Sequence, residues 1–195
     1  MQEHEEYMNA KNKYSASDVA KMHEHAELID GFLVIEDRTT VTHSRLVTAV
    51  AAALREYIAA KGGSCEVFTE NVALFCNELT DHERDFYLPD VMAVCDPNGV
   101  DDRGVHVAPR FVAEVTSEST RRHDYGEKML TYRNIGVEEY WVIDPQRNCV
   151  TTYLLSKQYA PEVYLYPDAV TSEVYPELKI DFRSFWKQET KSMRS

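Results

Sequence analysis

Two short runs of this chain carry an acid where a buried strand would otherwise be wholly apolar. They are Leu88-Pro89-Asp90-Val91-Met92-Ala93-Val94 and Arg110-Phe111-Val112-Ala113-Glu114-Val115-Thr116. A carboxylate is seldom buried unless it is paired or binds a metal, so two such runs in succession point to a site for a divalent cation. Side chains alternate along a strand, so Glu114 faces away from its neighbours and can meet Asp90 across paired strands on one sheet face. Hard oxygen ligands of this kind suit magnesium or manganese, and two of them leave positions for water and a phosphate oxygen. Metal-assisted hydrolysis is the chemistry this makes available.

Such a reaction needs a cation near the scissile phosphate to offset developing charge and position the attacking water. Lys128 is the candidate, since it lies on the helix expected after the Glu114 run and its stem can bring the ammonium back toward that strand's end. Glu27, beside a turn, could add a third carboxylate, to the metal or to a bound water. Plainer readings stay open for each. Asp90 could cap a turn before a strand, and Glu114 could face solvent from an edge strand. Glu127 and Lys128 could be solvated helix charges, and Glu27 could pair across a hairpin with a basic neighbour. His43 could cap a helix, line a cleft or sit exposed. Arg121 and Arg122 could grip a phosphate or be solvated. His23 and His25 alternate like strand ligands but lack a third partner, and Tyr140 and Trp141 read as core and interface area.

The elements that must position these residues follow from periodicity and turn chemistry. Residues 1 to 14 are polar and expected to fray, after which Ser15 or Ser17 can cap a short helix to about Met22. Ala26-Glu27-Leu28-Ile29 and Phe32-Leu33-Val34-Ile35 flank Asp30-Gly31, a dipeptide that supplies the positive φ angles of a tight hairpin. From Thr42 to Ala60 apolar residues recur at helical spacing, with Thr42 as N-cap and Gly62 as the stop. β-rich runs follow at Cys65 to Phe68, Asn71 to Phe75, Val91 to Cys95 and Phe111 to Thr116. A second helix is expected from Thr120 to Asn134, ended by Gly136. Strands follow from Glu139 to Pro145 and from Val150 to Leu155, with shorter pieces near Val163 to Tyr166. A helix between strands favours an α/β chain with a mixed sheet.

The 195 residues, 44% of them hydrophobic, fit one compact core, here divided as a polar N-terminal segment with a short helix at 1–25 and a single domain at 26–195. No run approaches the roughly 20 apolar residues of a membrane span, and the opening Met1-Gln2-Glu3-His4-Glu5-Glu6 is unlike a signal peptide, which points to a cytoplasmic protein. Cys65, Cys76, Cys95 and Cys149 lie far apart and read as reduced, partly buried thiols. A net charge of −12 argues against loose, non-specific coating of a polyanion. Without a Gly-rich phosphate loop, a Gly-x-Ser-x-Gly elbow or a His-Glu-x-x-His helix, nucleotide, serine-hydrolase and zinc-protease readings have no support.

A family resemblance joins these pieces. Glu27-Leu28-Ile29-Asp30-Gly31, His43 opening a helix, Pro89-Asp90 in an apolar strand, and Val112-Ala113-Glu114-Val115 with Ser117 and Ser119-Thr120 come in that order. Asp124, Glu127-Lys128, Tyr132 and the run Gly136 to Pro145 complete it. From about Glu27 to Leu155 the chain resembles the Uma-type family of restriction-endonuclease-like proteins, and through it the PD-(D/E)XK nuclease superfamily. The resemblance implies a restriction endonuclease-like mixed central sheet flanked by helices, with additional β-hairpins. It implies Asp90 and Glu114 as metal ligands and Glu27 as an extra upstream acid. The superfamily's usual lysine lies two residues after the glutamate, where this chain has Thr116; Lys128 is expected to replace it from the following helix.

The expected function is a Mg2+- or Mn2+-dependent endonuclease acting on DNA, with Glu27, Asp90, Glu114 and Lys128 as its catalytic set. The alternative is a catalytically inactive nuclease-fold module that binds protein or nucleic acid. A homodimer is expected from the aromatic, β-rich segment after Val150.

Overall fold

Alternate residues of the central strands serve two different layers, which is why the strands read as continuous apolar runs. A computed structural model describes residues 13–35, 39–80, 85–157 and 160–186, so most of the frayed segment expected at 1–14 lies outside the described residues. In chain order come a helical turn α1 (Ala16–Val19), a hairpin of β1 (Ala26–Ile29) and β2 (Phe32–Ile35), and the long helix α2 (Val41–Ala60). Strands β3 (Glu66–Thr69) and β4 (Val91–Val94), a small hairpin β5 (Val100–Asp101) and β6 (Gly104–Val105), and β7 (Phe111–Val115) follow. Helices α3 (Arg121–Tyr125) and α4 (Glu127–Ile135) precede β8 (Glu139–Asp144), β9 (Cys149–Leu154) and β10 (Glu162–Leu165), and β11 (Ala169–Thr171) and β12 (Lys179–Asp181) form a last hairpin.

Six strands form one mixed sheet in the order β10-β9-β8-β7-β4-β3. Only β7 and β8 pair in parallel within it, and α3 with α4 supplies the crossover that a parallel pair needs. On one face Leu46, Val50, Leu54 and Ile58 of α2 pack with Val91, Ala93, Phe111, Ala113, Trp141 and Ile143. On the other, Tyr132 and Ile135 of α4 pack with Met92, Val94, Val112, Tyr140 and Val142. Each large side chain fully withdrawn from water here contributes roughly 1.5 to 3 kcal/mol before conformational entropy is counted. The fold is thus an α/β sandwich with a central mixed sheet, flanking helices and extra hairpins. Among the described residues no helix is long and apolar enough to cross a membrane.

Several elements form as expected. Asp30 and Gly31 have φ of 49° and 81°, and Ile29 pairs with Phe32 across them. Others differ for local reasons. Ser15 caps α1 through a reciprocal bond with Asp18, yet the helix stops at Val19. The N-cap of α2 is Thr40 rather than Thr42, because Thr40 is extended and its hydroxyl accepts the His43 N–H at 3.1 Å. The expected strand from Asn71 to Phe75 is reduced to isolated bridges from Leu74 to Tyr87 and Val105. The single helix expected from Thr120 breaks at Gly126 (φ −116°, ψ −95°). A Cβ at Gly126 would come within 2.8 Å of the Arg122 carbonyl oxygen.

The cysteine expectation is corrected. Cys65 and Cys95 form a disulfide with their Cα atoms 4.0 Å apart, while Cys76 and Cys149 are free and buried. The antiparallel register of β3 with β4 pairs Glu66 with Val94, so the residues flanking the two strands face each other. Their separation of 30 in sequence gave no sign of this.

A third acid in an apolar strand, Glu139, has a structural role. Its carboxylate accepts bonds from Trp141 Nε1 (2.7 Å), Ser172 Oγ (2.6 Å), Glu173 N (3.0 Å) and Val174 N (2.9 Å), tying the C-terminal segment to the start of β8. Glu139→Gln removes the charge and an acceptor while its buried donors stay, and should lower stability by about 1 to 3 kcal/mol. Urea unfolding with an unchanged slope and a lower midpoint is the expected result. A wild-type midpoint would show the knot to be unimportant.

Candidate active site

Three acids stand side by side where three neighbouring strands end. The β3–β4 register runs to Thr69 opposite Val91, and one further step, closed by the bond from Glu70 N to the Asp90 carbonyl at 3.2 Å, sets Glu70 beside Asp90. The β4–β7 register pairs Val91 with Ala113, so the next step sets Asp90 beside Glu114. Cross-strand neighbours share a sheet face, which brings these acids together at the sheet's end. Glu139 lies at the opposite end, paired with Phe111. The central position of β7 removes the edge-strand reading of Glu114.

Glu114 is 3% exposed. Its Oε1 accepts the Tyr132 hydroxyl at 2.7 Å and the Lys128 ammonium at 3.2 Å, and its Oε2 accepts Asp90 N at 3.3 Å. Lys128, 2% exposed, also lies 2.8 Å from Glu27 Oε2 and 3.7 Å from Asp124 Oδ1. Glu27 meets Val34 across its hairpin, not a basic residue, and its Oε1 accepts Leu88 N at 2.7 Å. Thr116, two residues after Glu114, gives its hydroxyl to the Ser117 carbonyl at 3.2 Å and lies 3.3 Å from the Thr120 hydroxyl. Burial pushes the carboxyls of Glu114 and Asp124 above their ordinary range, and the Lys128 charge pulls both back. Burial likewise raises the Tyr132 phenol, so its hydroxyl stays a donor.

Asp90 links this cluster to a second one. Its Oδ2 accepts Val115 N at 2.7 Å, which fixes the carboxylate, while Oδ1 lies 3.0 Å from His43 Nε2. The same nitrogen is 3.3 Å from Glu70 Oε1. His43, Glu70 and Asp90 each offer a ligand atom within 4.8 Å of the others. Two carboxylate oxygens and an imidazole nitrogen, one of those oxygens buried without a hydrogen-bond donor, are a donor set that fits a divalent cation.

Both clusters open onto a cleft of about 720 Å³, whose wall includes Thr40, Thr42, Ser117, Ser119 and Thr120. Arg121 does not serve the cleft as a phosphate grip: its guanidinium bonds Asp144 Oδ2 at 2.8 Å and Gln146 Oε1 at 2.8 Å. The Arg122 side chain is 88% exposed.

The profile of a family named Uma2, described as "Putative restriction endonuclease", matches residues 12–183. The chain belongs to the Uma2 family. A solved structure from Anabaena variabilis ATCC 29413, described as a "putative nuclease belonging to DUF820", is similar with a TM-score of 0.68. The likeness covers 89% of this chain and 98% of that one at 18% identity, and speaks for the fold. No curated protein matches.

In this Uma2 chain the four residues singled out from sequence, Glu27, Asp90, Glu114 and Lys128, converge at one end of the sheet. Glu70 was missed, since its only signal is an acid at the exit of a β-rich run. Asp124 and Tyr132 belong to the resemblance but carry no sequence-derived role, and contact with Lys128 or Glu114 is what marks them.

Proposed function

We propose that this Uma2 chain is a divalent-metal-dependent endonuclease that hydrolyses phosphodiester bonds in DNA. The observation that carries the reading is the row Glu70, Asp90 and Glu114 ending adjacent strands beside a buried lysine on a cleft. Asp90 and Glu114 would hold the ion, magnesium or manganese. When bound, the ion supplies Lewis acidity and a more acidic water. The chain's own groups prepare the site. Val115 N–H orients Asp90, Tyr132 and Asp90 N–H orient Glu114, and Glu27 anchors Lys128 where it can face developing charge on the attacked phosphate. Hydroxyls on the cleft wall can donate to neighbouring phosphate oxygens, a sequence-independent contact.

Supercoiled plasmid and single-stranded DNA, incubated with Mg2+ or Mn2+ and in parallel with a chelator, test this. Strand breaks should appear only with metal, and Glu114→Gln should slow them by on the order of a hundredfold or more, because it removes a ligand and not core volume. Metal binding by the wild type without breaks in either substrate would overturn the proposal in favour of an inactive nuclease-fold binding module.

A further inference from the structure

His43, Glu70 and Asp90 pose a hydrogen-bonding problem that a proton cannot solve. Glu70 Oε1 and Asp90 Oδ1 converge on one ring nitrogen, His43 Nε2, at 3.3 and 3.0 Å. That nitrogen carries at most one hydrogen, so it can serve only one of the two oxygens well. The bond goes to Asp90, and Glu70 Oε1 is buried with no hydrogen-bond partner. A buried acceptor left without a donor is unfavourable, more so when it is charged. A cation placed among the three atoms would satisfy both oxygens and take the nitrogen's lone pair.

The surrounding structure holds these atoms in place. His43 sits in the first turn of α2, its backbone N–H bonded to the Thr40 hydroxyl, which brings the imidazole over the strand ends. Glu70 is tied to β4 by its own N–H on the Asp90 carbonyl. Asp90 is fixed by Val115 N–H through its other oxygen, so Oδ1 is left to face His43 and Glu70. Glu114, by contrast, is bonded to Lys128, Tyr132 and Asp90 N.

We infer that His43, Glu70 and Asp90 form a second cation position, sharing Asp90 with the Asp90–Glu114 pair and selective for imidazole-accepting ions such as manganese, cobalt or zinc over magnesium. Magnesium prefers an all-oxygen octahedron and dehydrates reluctantly, whereas a neutral imidazole suits the transition metals. The ion's use in catalysis rests on the nuclease reading above, while its binding does not.

Pulsed EPR and titration calorimetry on the full chain with Mn2+, in the absence of DNA, test the binding. The wild-type Mn2+ complex should show nitrogen coupling, because the Asp90–Glu114 pair contains no nitrogen. His43→Gln should abolish that coupling and weaken Mn2+ binding about tenfold or more. Glu70→Gln, which keeps the imidazole, should weaken Mn2+ binding to a similar degree, with Mg2+ affinity changed by less than about threefold in both variants. Circular dichroism melts establish that each variant is folded, and either one suffices for the affinity test. Absence of coupling in the wild type, coupling that survives in His43→Gln, or wild-type Mn2+ affinity in Glu70→Gln would overturn the site. Because no nucleic acid is present, failure to cleave DNA would count against the endonuclease reading alone.

Discussion

Asp90→Asn should abolish metal-dependent cleavage, by on the order of a thousandfold or more, while leaving the protein at least as stable as the wild type. The two halves of this expectation come from different atoms. An asparagine oxygen can still accept the Val115 N–H that Asp90 Oδ2 accepts at 2.7 Å, so the bond between the strand ends survives. What is lost is the negative charge, and that charge sits between two other acids in the row. The Asp90 carboxylate is one of the influences that push the buried Glu114 carboxyl up, after burial itself. Removing it relieves like-charge repulsion, so the thermal midpoint should hold or rise. Loss of function with unchanged or increased stability is the mark of a group kept for chemistry at a cost to the fold. The paired measurement is a cleavage rate and a melting curve on the same preparation. A variant that is both active and destabilised would show Asp90 to be a strand-capping residue, as the plainer sequence reading had it.

Lys128→Met is expected to have the largest effect on stability. The ammonium is 2% exposed and lies 2.8 Å from Glu27, 3.2 Å from Glu114 and 3.7 Å from Asp124. Removing one member of a buried ionic cluster leaves its partners uncompensated, at a cost of about 3 to 5 kcal/mol. The loss should depend on pH in a definite direction. Burial already raises the folded-state values of Glu114 and Asp124, and Lys128 opposes that rise. Without the lysine both values climb further, so the folded variant keeps its protons to higher pH than the unfolded chain does. A group with a raised folded value contributes stability below its unfolded value and loses it as pH rises through the folded one. The deficit of Lys128→Met should therefore be smallest below about pH 3.5, where unfolded carboxyls are also largely protonated, and should grow toward neutrality. Chemical denaturation of both proteins across that range checks it. A deficit independent of pH would mean that pairing of the ammonium with the carboxylates is not what stabilises the fold, since methionine keeps an unbranched apolar stem of similar length.

Local signals in the sequence carry much of this architecture. Asp30-Gly31 can only be a tight turn between its apolar flanks, and the spacing of Leu46, Val50, Leu54 and Ile58 can only be a helix with one buried face. Glu114 was legible because a charge inside an apolar pattern demands a partner, and Lys128 because it lies on the helix expected after that strand and within the family resemblance. What stayed hidden depends on pairing between distant segments. Glu70 meets Asp90 only through the β3–β4 register, and nothing near Glu70 announces that register. The same register makes Cys65 face Cys95. His43 was ambiguous because a residue in the first turn of a helix is placed by what the helix packs against. The break at Gly126 was masked by apolar spacing that continues through it, and the Asn71–Phe75 run has strand composition but only isolated bridging partners. For Glu70, the cysteine pair and His43 the deciding contact joins parts of the chain that composition treats as unrelated.

The bridge from Cys65 to Cys95 encloses both Glu70 and Asp90 in a covalent ring whose ends are 30 positions apart in sequence. Closing a ring of that size removes disorder from the unfolded chain worth about 3 to 4 kcal/mol in the simplest entropic account. Two of the acids in the row are thus restrained even when the strands separate, whereas Glu114 and Lys128 lie outside the ring. A chain that unfolds and recovers would bring Glu70 and Asp90 back together as one tethered unit.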